Sequence, residues 1–250
     1  MCRHQLYLGP PVSLTQLLVE PPYGLYRQSW APRDMRGGGT VNVDGFGVGW
    51  YTPTGPVRYR RAGPIWADPG LVELGRATAA GAVLAAVRSA TPGMPFGETA
   101  CAPFTDGRWL FSHNGVVAGW PDSVAALAAA LPVTDLLTLD APTDSALLWA
   151  LLRHRLRSGA DPGTAITDTV TGVLAAAPAS RLNLLLTDGE RAWASAVGHS
   201  LSVLAGPERL TIASEPSDDD PAWRPVADRR LVVADRHTYT VEDLCGSTSS

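Results

Sequence analysis

Lysine is absent from the sequence, and all 20 basic residues among its 250 positions are arginines. This absence excludes three kinds of site: a Schiff-base lysine, a phosphate-binding P-loop with its lysine, and a serine–lysine dyad. Cysteine is also scarce, with 3 in the chain. An odd, widely spaced set without metal-ligand spacing argues against a disulfide framework and against a structural zinc site.

Long hydrophobic runs and an excess of positive charge are missing as well. No stretch reaches the roughly 18 consecutive apolar residues that a membrane span requires, and the first residues lack the pattern of a signal peptide. The formal net charge is −4, so no basic surface points to nucleic acid or to an anionic membrane. We therefore expect a soluble, cytoplasmic protein without nucleic-acid or membrane partners; the oligomeric state is left open.

Hydrophobic patterning places strands at both ends of the chain and helices in the middle. Strand-like runs cover residues 3–8, 46–52, 57–60, 82–87, 109–111, 181–187, 191–197, 201–205, 210–213 and 231–234. Helical patterns cover residues 14–20, 122–131, 144–158 and 162–176, with cap signals at Ser13, Thr143 or Asp144, and Asp161. This order favours an α+β fold of two mostly antiparallel sheets covered by helices. We expect one domain over residues 2–245 and a disordered tail at 246–250.

Cys2 is the position with the most functional information. Removal of the initiator Met would leave Cys2 at the N-terminus, with a thiol and a free α-amine on one residue. An α-amine, with a reference pKa of about 7.7–8.0, can act as general base for its own thiol. A buried or chance cysteine is the structural alternative, and position alone does not decide between them.

Several short motifs that include Cys2 follow one another along the chain. They are Cys2-Arg3, Asp44-Gly-Phe-Gly-Val-Gly-Trp-Tyr51, Arg88-Ser-Ala-Thr91, His113-Asn-Gly115 and Thr143-Asp144. In this order they resemble the class II glutamine amidotransferase domains, which are N-terminal-nucleophile hydrolases with an αββα sandwich. The opening residues, the Asp44 motif and Ala213-Ser-Glu-Pro216 look most like one subgroup, which hydrolyses γ-glutamyl-hercynylcysteine S-oxide in ergothioneine biosynthesis. The resemblance spans roughly residues 2–225.

The resemblance implies a role for each matched residue. Cys2 is the nucleophile, and Asn114 and Gly115 donate hydrogen bonds to the oxyanion that forms during acyl transfer. Arg88 binds the α-carboxylate of the glutamyl group with its planar fork of donors, and Asp144 binds the α-ammonium. An Asn-Gly hairpin turn and an ordinary helix cap are the structural alternatives for the oxyanion pair and for Asp144.

Two further residues of the Arg88 motif, Ser89 and Thr91, are expected to contact the glutamyl group. His113 is not expected to be the catalytic base, because neighbouring strand residues face opposite sides and the α-amine already supplies a base. Many class II amidotransferases have His-Thr-Arg-Trp-Ala-Thr where this chain has Ala86-Val-Arg-Ser-Ala-Thr91, so the wall of the site differs. Cys101 and Cys245 are expected to be non-catalytic, and neither a metal nor another cofactor is expected.

The implied activity is an amidase that transfers a γ-glutamyl group to Cys2 and then to water. No segment beyond the amidase-like region is long enough for an ammonia-using synthase, which favours the sulfoxide as substrate. Two alternatives remain: a free-standing glutaminase that supplies a separate synthase, and a non-catalytic binder of γ-glutamyl metabolites. The aromatic candidates for contact with the trimethylated cation of the substrate are Trp30, Trp50, Tyr51, Trp66 and Trp223. A lid role for residues 33–40 is left open.

Overall fold

The structure is a computed structural model that describes residues 2–35 and 41–244. Residues 36–40 of the candidate lid, Cys245 and the tail at 246–250 lie outside the described residues. Among the described residues, no helix is both long and apolar enough to cross a lipid bilayer.

The described residues form two antiparallel sheets and several helices. The strands are β1 Arg3–Ser13, β2 Phe46–Thr52, β3 Gly55–Arg61, β4 Ala79–Val87, β5 Phe104–Asp106, β6 Trp109–Val116, β7 Arg181–Thr187, β8 Arg191–Ala196, β9 Ser202–Ala205, β10 Leu210–Ala213, β11 Arg224–Pro225, β12 Arg230–Asp235 and β13 Tyr239–Asp243. The α-helices are α1 Leu14–Leu18, α2 Leu25–Gln28, α3 Pro69–Ala77, α4 Ala125–Ala129, α5 Val133–Leu137, α6 Asp144–Arg157 and α7 Pro162–Ala176. The strand order is β11-β9-β10-β1-β4-β2-β3 in the first sheet and β13-β12-β8-β7-β6-β5 in the second.

Alternation of side chains along the strands builds a four-layered sandwich. In β1, Leu6 belongs to the core between the two sheets, whereas Tyr7 packs on the outer face with residues of α1 and α3. In β7, Leu185 enters the same inter-sheet core, whereas Leu184 packs beneath α6 and α7. Since each sheet buries both faces, the helices form the two outer layers. The predicted αββα fold class is confirmed.

Hydrogen bonds from cap residues explain where helices α1, α6 and α7 begin. Ser13 and Gln16 form the predicted capping box of α1. The Thr143 side chain accepts the Ala146 amide at the start of α6, and Asp161 accepts the Thr164 amide at the start of α7. These contacts satisfy amides in the first turn, which lack partners within the helix.

Several predicted boundaries were wrong. The pattern at 122–131 is a 3₁₀ turn, Asp122–Val124, followed by the short helix α4, which ends at Ala129. The strand predicted at 57–60 begins earlier, at Gly55, because its pairing with β2 already starts between Thr52 and Gly55. Helix α3 was missed, although its Asp68-Pro69 start has the same cap signal as Asp161-Pro162.

Candidate active site

The inter-sheet layer changes from apolar to polar at the end of the sandwich where β1 begins. Leu6 and Leu8 of β1 pack in the inter-sheet core, and their alternation continues back to His4 and Cys2. His4 is fully buried, and its Nδ1 lies 3.2 Å from the Ser112 Oγ of β6. Cys2 therefore lies at the polar mouth of the space between the sheets, where it is half-buried.

The Cys2 thiol reaches the segment that follows β4. Its Sγ donates to the backbone carbonyl oxygen of Ser89 at 3.6 Å, a distance within the range of hydrogen bonds from sulfur. Arg88 and Cys2 line one small cavity, and Arg88 shares the alternation of Leu84 and Ala82, which face the inter-sheet core. The structure thus brings together the nucleophile candidate and the predicted carboxylate-binding arginine.

Backbone contacts with the Asp44-Gly45 segment hold Arg88 in place. The Arg88 amide donates to the Gly45 carbonyl oxygen at 2.7 Å, and the Arg88 carbonyl accepts the Asp44 amide at 3.1 Å. The Asp44 carboxylate accepts the Ala90 amide at 2.7 Å, which fixes the turn after Arg88. The guanidinium donates to the Pro95 carbonyl oxygen at 3.0 Å. Arg88 forms no ion pair with a described residue, so its charge is available to an anionic ligand.

The glycines of the Asp44 motif have a steric role. A Cβ at Gly45, whose φ is +139°, would lie 2.2 Å from Cys101 Sγ, and one at Gly47 would lie 2.2 Å from the Ala102 carbonyl oxygen. These glycines therefore allow a close approach to the Cys101–Ala102 segment. Strand β2 is separated from the strand of Cys2 by β4.

The Asn114 side chain is fixed from the first sheet. Asn114 is fully buried in β6, and its Nδ2 donates to Ser214 Oγ at 3.2 Å. The same hydroxyl accepts the backbone amide of His4 at 3.0 Å and lies 3.3 Å from the His4 carbonyl oxygen. Ser214 therefore links the predicted oxyanion donor to the strand that starts at Cys2. Asn114 lies inside a strand, so the Asn-Gly turn alternative was wrong.

Gly115 is required by a close approach between strands. A Cβ at this position would lie 1.8 Å from the Arg181 carbonyl oxygen, closer than any side chain tolerates. Gly115 is paired with Leu182 of β7, so the second predicted oxyanion residue also lies in the sheet, directly after Asn114.

Asp144 does not cap helix α6; Thr143 does. The Asp144 carboxylate is 7% exposed and accepts the Val117 amide at 3.0 Å and the Ser145 amide at 2.7 Å. It thus joins the end of β6 to the start of α6, and it makes no ion pair with a described residue. A buried carboxylate without a cation partner suits an ammonium group, because carboxylates offer up to about four acceptor positions.

His113 lies beside the site with both ring nitrogens engaged. Its Nδ1 is 2.9 Å from Ser145 Oγ, and its Nε2 is 3.0 Å from the Arg181 carbonyl oxygen. The ring faces helix α6 and Asn114 faces the other sheet, as strand alternation predicts. Nevertheless, His113 lines the small cavity with Cys2. Because neither nitrogen points freely at the thiol, the geometry favours a packing role for His113.

The small cavity beside Cys2 is closed by apolar groups and by Cys101. Its volume of about 30 Å³ has room for about one water molecule. Cys101 is fully buried, and burial raises the pKa of its thiol to about 11. A thiol with so high a pKa stays protonated and is a poor nucleophile, consistent with the expectation that Cys101 is non-catalytic.

The two other predicted glutamyl contacts are placed differently. Ser89 meets Cys2 through its backbone carbonyl. Thr91 lies outside the small cavity and lines a neighbouring one of about 400 Å³ together with Val116 and Val117. Val117 also donates its amide to Asp144, so Thr91 and Asp144 both lie near the segment after β6.

A buried arginine and a buried histidine directly follow the nucleophile, a feature that sequence reasoning missed. Arg3 is 1% exposed and donates to the Asp34 carbonyl oxygen. Burial lowers the pKa of Arg3, while the carboxylates of Glu215 and Asp34 raise it. Burial, followed by the charges of His113, His199 and Arg3, holds the pKa of His4 well below its usual value. His4 is therefore neutral. The polar sequence Arg3-His4 at the start of an otherwise apolar strand was the available signal.

Comparison with known families decides the classification. A family model described as glutamine amidotransferases class-II matches residues 27–207. This chain belongs to the class II glutamine amidotransferases. The match covers β2 to β9 and therefore includes Arg88, Asn114, Gly115 and Asp144.

Curated relatives of this class II amidotransferase match nearly its whole length. A protein of Mycolicibacterium smegmatis named γ-glutamyl-hercynylcysteine sulfoxide hydrolase is 42% identical over 239 residues, which cover 95% of this chain and 97% of the relative. A Mycobacterium tuberculosis protein of the same name is 41% identical over 244 residues, which cover 98% and 97%.

Solved structures share the fold of this class II amidotransferase. A glutamine aminotransferase class-II domain protein from Silicibacter pomeroyi has a TM-score of 0.69 at 23% identity, covering 98% of this chain and 100% of the other. The glutamine phosphoribosylpyrophosphate amidotransferase of B. subtilis has a TM-score of 0.72 at 16% identity, covering 98% of this chain and 50% of the other. At these identities the comparison shows the fold alone.

Proposed function

We propose that this protein is an amidase that hydrolyses the γ-glutamyl amide bond of γ-glutamyl-hercynylcysteine S-oxide to glutamate and hercynylcysteine S-oxide. The observation that carries the proposal is the identity of about 41–42% over nearly full length with relatives named for this reaction. It is supported by the cluster of Cys2, Arg88 and Asn114 at one end of the inter-sheet space.

The glutamyl group is held by two opposite charges in this proposal. The α-carboxylate binds the Arg88 guanidinium, which makes no ion pair among the described residues and can form two charge-assisted hydrogen bonds. The α-ammonium binds the Asp144 carboxylate, which accepts only backbone and hydroxyl groups of its own chain. Ser89 and Thr91, which follow Arg88 in the chain, contact the glutamyl group in this proposal.

Acyl transfer then uses Cys2 as nucleophile and base together. The α-amine of Cys2, freed by removal of Met1, takes the thiol proton, and the thiolate attacks the γ-carbonyl carbon. The Asn114 amide and the Gly115 N–H stabilise the resulting oxyanion. The α-ammonium protonates the leaving amine as the C–N bond breaks. Water, deprotonated by the α-amine, cleaves the thioester, and glutamate leaves with the thiol restored.

The chemical test is the state of residue 2 during turnover. Mass spectrometry of acid-quenched enzyme should find the N-terminal peptide starting at Cys2 and, early in turnover, carrying one glutamyl group on sulfur. An N-terminal extension that leaves Cys2 without a free α-amine should abolish hydrolysis, and proteolytic removal of that extension should restore it. Full activity of protein that retains Met1 would contradict the mechanism.

The protein acts in the cytoplasm in this proposal, because its substrate is a metabolite of intracellular thiol chemistry. Neither metal nor cofactor is used. The free-standing glutaminase alternative shares the Cys2 chemistry and differs in the leaving group, so substrate preference separates the two.

A further inference from the structure

The Cys2 position is flanked by the ends of two strands. Strand β1 pairs with β4 on one side and with β10 on the other. Arg88 directly follows β4, and Glu215 and Pro216 lie just beyond β10. An acyl carbon held at the thiol has the glutamyl chain on one side and the leaving amine on the other. A glutamyl half at Arg88 therefore directs the leaving half towards Glu215 and Pro216.

A cavity lies where the chain leaves β10, and residues 214–216 line it. Its volume of about 540 Å³ falls within the typical range of about 300–1,000 Å³ for small-molecule sites. Its lining includes Arg33, Leu201, Glu215, Pro216, Asp219 and Trp223. Ser214, which fixes the Asn114 amide, also lines it, so the cavity adjoins the predicted oxyanion donor.

One wall of the cavity is held by the Glu215 carboxylate, which already accepts hydrogen bonds from backbone amides. Glu215 is 3% exposed and accepts the Arg33 amide at 3.1 Å and the Asp34 amide at 2.7 Å. The Arg33 side chain stacks over the Tyr23 ring at 4.1 Å and pairs with Asp219 at 3.0 Å. This wall is therefore preformed, with the Arg33–Asp219 ion pair at its outer edge.

Trp223 supplies an aromatic wall in a fixed orientation. Its Nε1 donates to the Asp218 carboxylate at 2.8 Å, and the residue is 8% exposed. The pairing leaves a carboxylate at the edge of the ring. An aromatic face with a nearby carboxylate is the combination that recognises quaternary ammonium groups, which cannot donate hydrogen bonds and bind by cation–π attraction.

The other aromatic candidates lie elsewhere. Trp50 is in the outer core of the first sheet. Trp30 packs edge-on against Trp66. The Tyr51 hydroxyl donates to carbonyl oxygens of Arg108 and Thr187, in or next to the second sheet. Of the five, only Trp223 belongs to the described lining of this cavity.

We infer that this cavity is the leaving-group subsite and that it takes a betaine amino acid, with its quaternary ammonium against Trp223 and Asp218 and its carboxylate towards Arg33. The inference rests on the proposed function, because it assigns the trimethylhistidine half of that substrate. It makes Trp223 a specificity-determining residue rather than a catalytic one.

The test compares two γ-glutamyl substrates on the same variants. γ-Glutamyl-hercynylcysteine S-oxide contains the betaine, and γ-glutamyl-S-methylcysteine S-oxide keeps the amide and the sulfoxide without it. Trp223→Leu should lower kcat/KM for the first substrate about 10- to 30-fold, the size of a desolvated cation–π contact, chiefly through KM. For the second substrate, kcat/KM of Trp223→Leu should stay within about twofold of the wild-type value. Trp223→Phe, which keeps an aromatic face, should recover most of the loss.

Matched charge variants separate the subsite from general electrostatics. Asp218→Asn should lower kcat/KM for the betaine substrate but not for the second substrate. Asp168→Asn, at an exposed position on α7, should leave kcat/KM for both substrates unchanged. Equal losses on both substrates in Trp223→Leu, or no loss on either, would overturn the inference.

Direct binding distinguishes failure of the subsite from failure of the proposed function. Calorimetry with N,N,N-trimethylhistidine alone needs no hydrolysis; wild type should bind it, and Trp223→Leu should lose most of that affinity. Absent or equal binding contradicts the subsite whatever the enzyme hydrolyses. If trimethylhistidine binds through Trp223 but the wild type prefers glutamine as substrate, the subsite stands and the proposed reaction fails.

Discussion

Asn114 Nδ2 donates a hydrogen bond to Ser214 Oγ across the two sheets at 3.2 Å. Because the Ser214 hydroxyl also lies within hydrogen-bond distance of the His4 amide and carbonyl, it sets both the position and the flip of the Asn114 amide. The Nδ2 group has a second hydrogen, which donates to the oxyanion in the proposed mechanism. The relationship makes Ser214 a positioning residue for the predicted oxyanion donor.

Ser214→Ala should therefore lower kcat about tenfold with a smaller effect on KM. A misaligned Asn114 amide would weaken a hydrogen bond that forms mainly in the transition state. Steady-state kinetics on γ-glutamyl-hercynylcysteine S-oxide measures kcat and KM. Ser158→Ala, at the exposed end of α6, is the control and should behave as wild type. A rise in KM alone would argue against the positioning role.

The two described cysteines should differ completely in function. Cys2→Ala should abolish hydrolysis but retain substrate affinity, since the thiol makes bonds and does not hold the substrate. Cys101→Ala should keep most activity, because Cys101 is buried with a raised pKa. Calorimetry and glutamate release check the pair. Loss of substrate binding in Cys2→Ala, or loss of chemistry in a folded Cys101→Ala, would be contrary evidence.

Arg88 should determine the affinity for every γ-glutamyl compound. Hydrogen bonds to charged groups contribute about 1.5–3 kcal/mol, so Arg88→Ala should raise KM roughly 10- to 100-fold. Arg88→Lys should be intermediate, because it keeps the charge but not the planar fork. Arg108→Ala, a largely exposed arginine, is the matched control. An unchanged Michaelis constant in Arg88→Ala would remove this residue from the site.

Stability depends on a buried ion pair far from the chemistry. Asp135, 7% exposed, accepts hydrogen bonds from Arg153 at 3.2 Å and from Arg157 at 3.3 Å. Asp135→Ala leaves Arg153 buried without its partner and should lower the free energy of unfolding by about 3–5 kcal/mol. Adding Arg153→Met should recover much of that loss. Urea unfolding measures both, and a double variant as unstable as the single one would contradict this account.

Sequence alone predicted most strands and the long helices, because alternation and cap signals are local properties. It also predicts that Cys2, Arg88 and Asn114 belong to one site, a prediction that rests on motif order rather than on any measure of distance. The α3 helix escaped notice although Asp68-Pro69 resembles the start of α7. The 122–131 helix was overestimated because an alanine-rich run predicts a helix whether or not tertiary contacts extend it.

Long-range relationships were beyond the sequence. Ser214 is 100 residues from Asn114, and the packing of the first sheet on the second brings the two together. The structure also places Trp223 in one cavity with Ser214, whereas composition had offered five aromatic residues without a means to choose. Thr143 caps α6, and the Asp144 carboxylate instead accepts the amide of Val117 in the loop after β6.

The central claim is the substrate, and the most direct measurement is glutamate release from γ-glutamyl-hercynylcysteine S-oxide and from glutamine, each supplied alone and in competition. The account predicts a much larger kcat/KM for the sulfoxide and little inhibition by glutamine. A preference for glutamine would contradict the proposed reaction, keep the Cys2 chemistry, and identify the protein as a glutaminase that supplies ammonia to a partner.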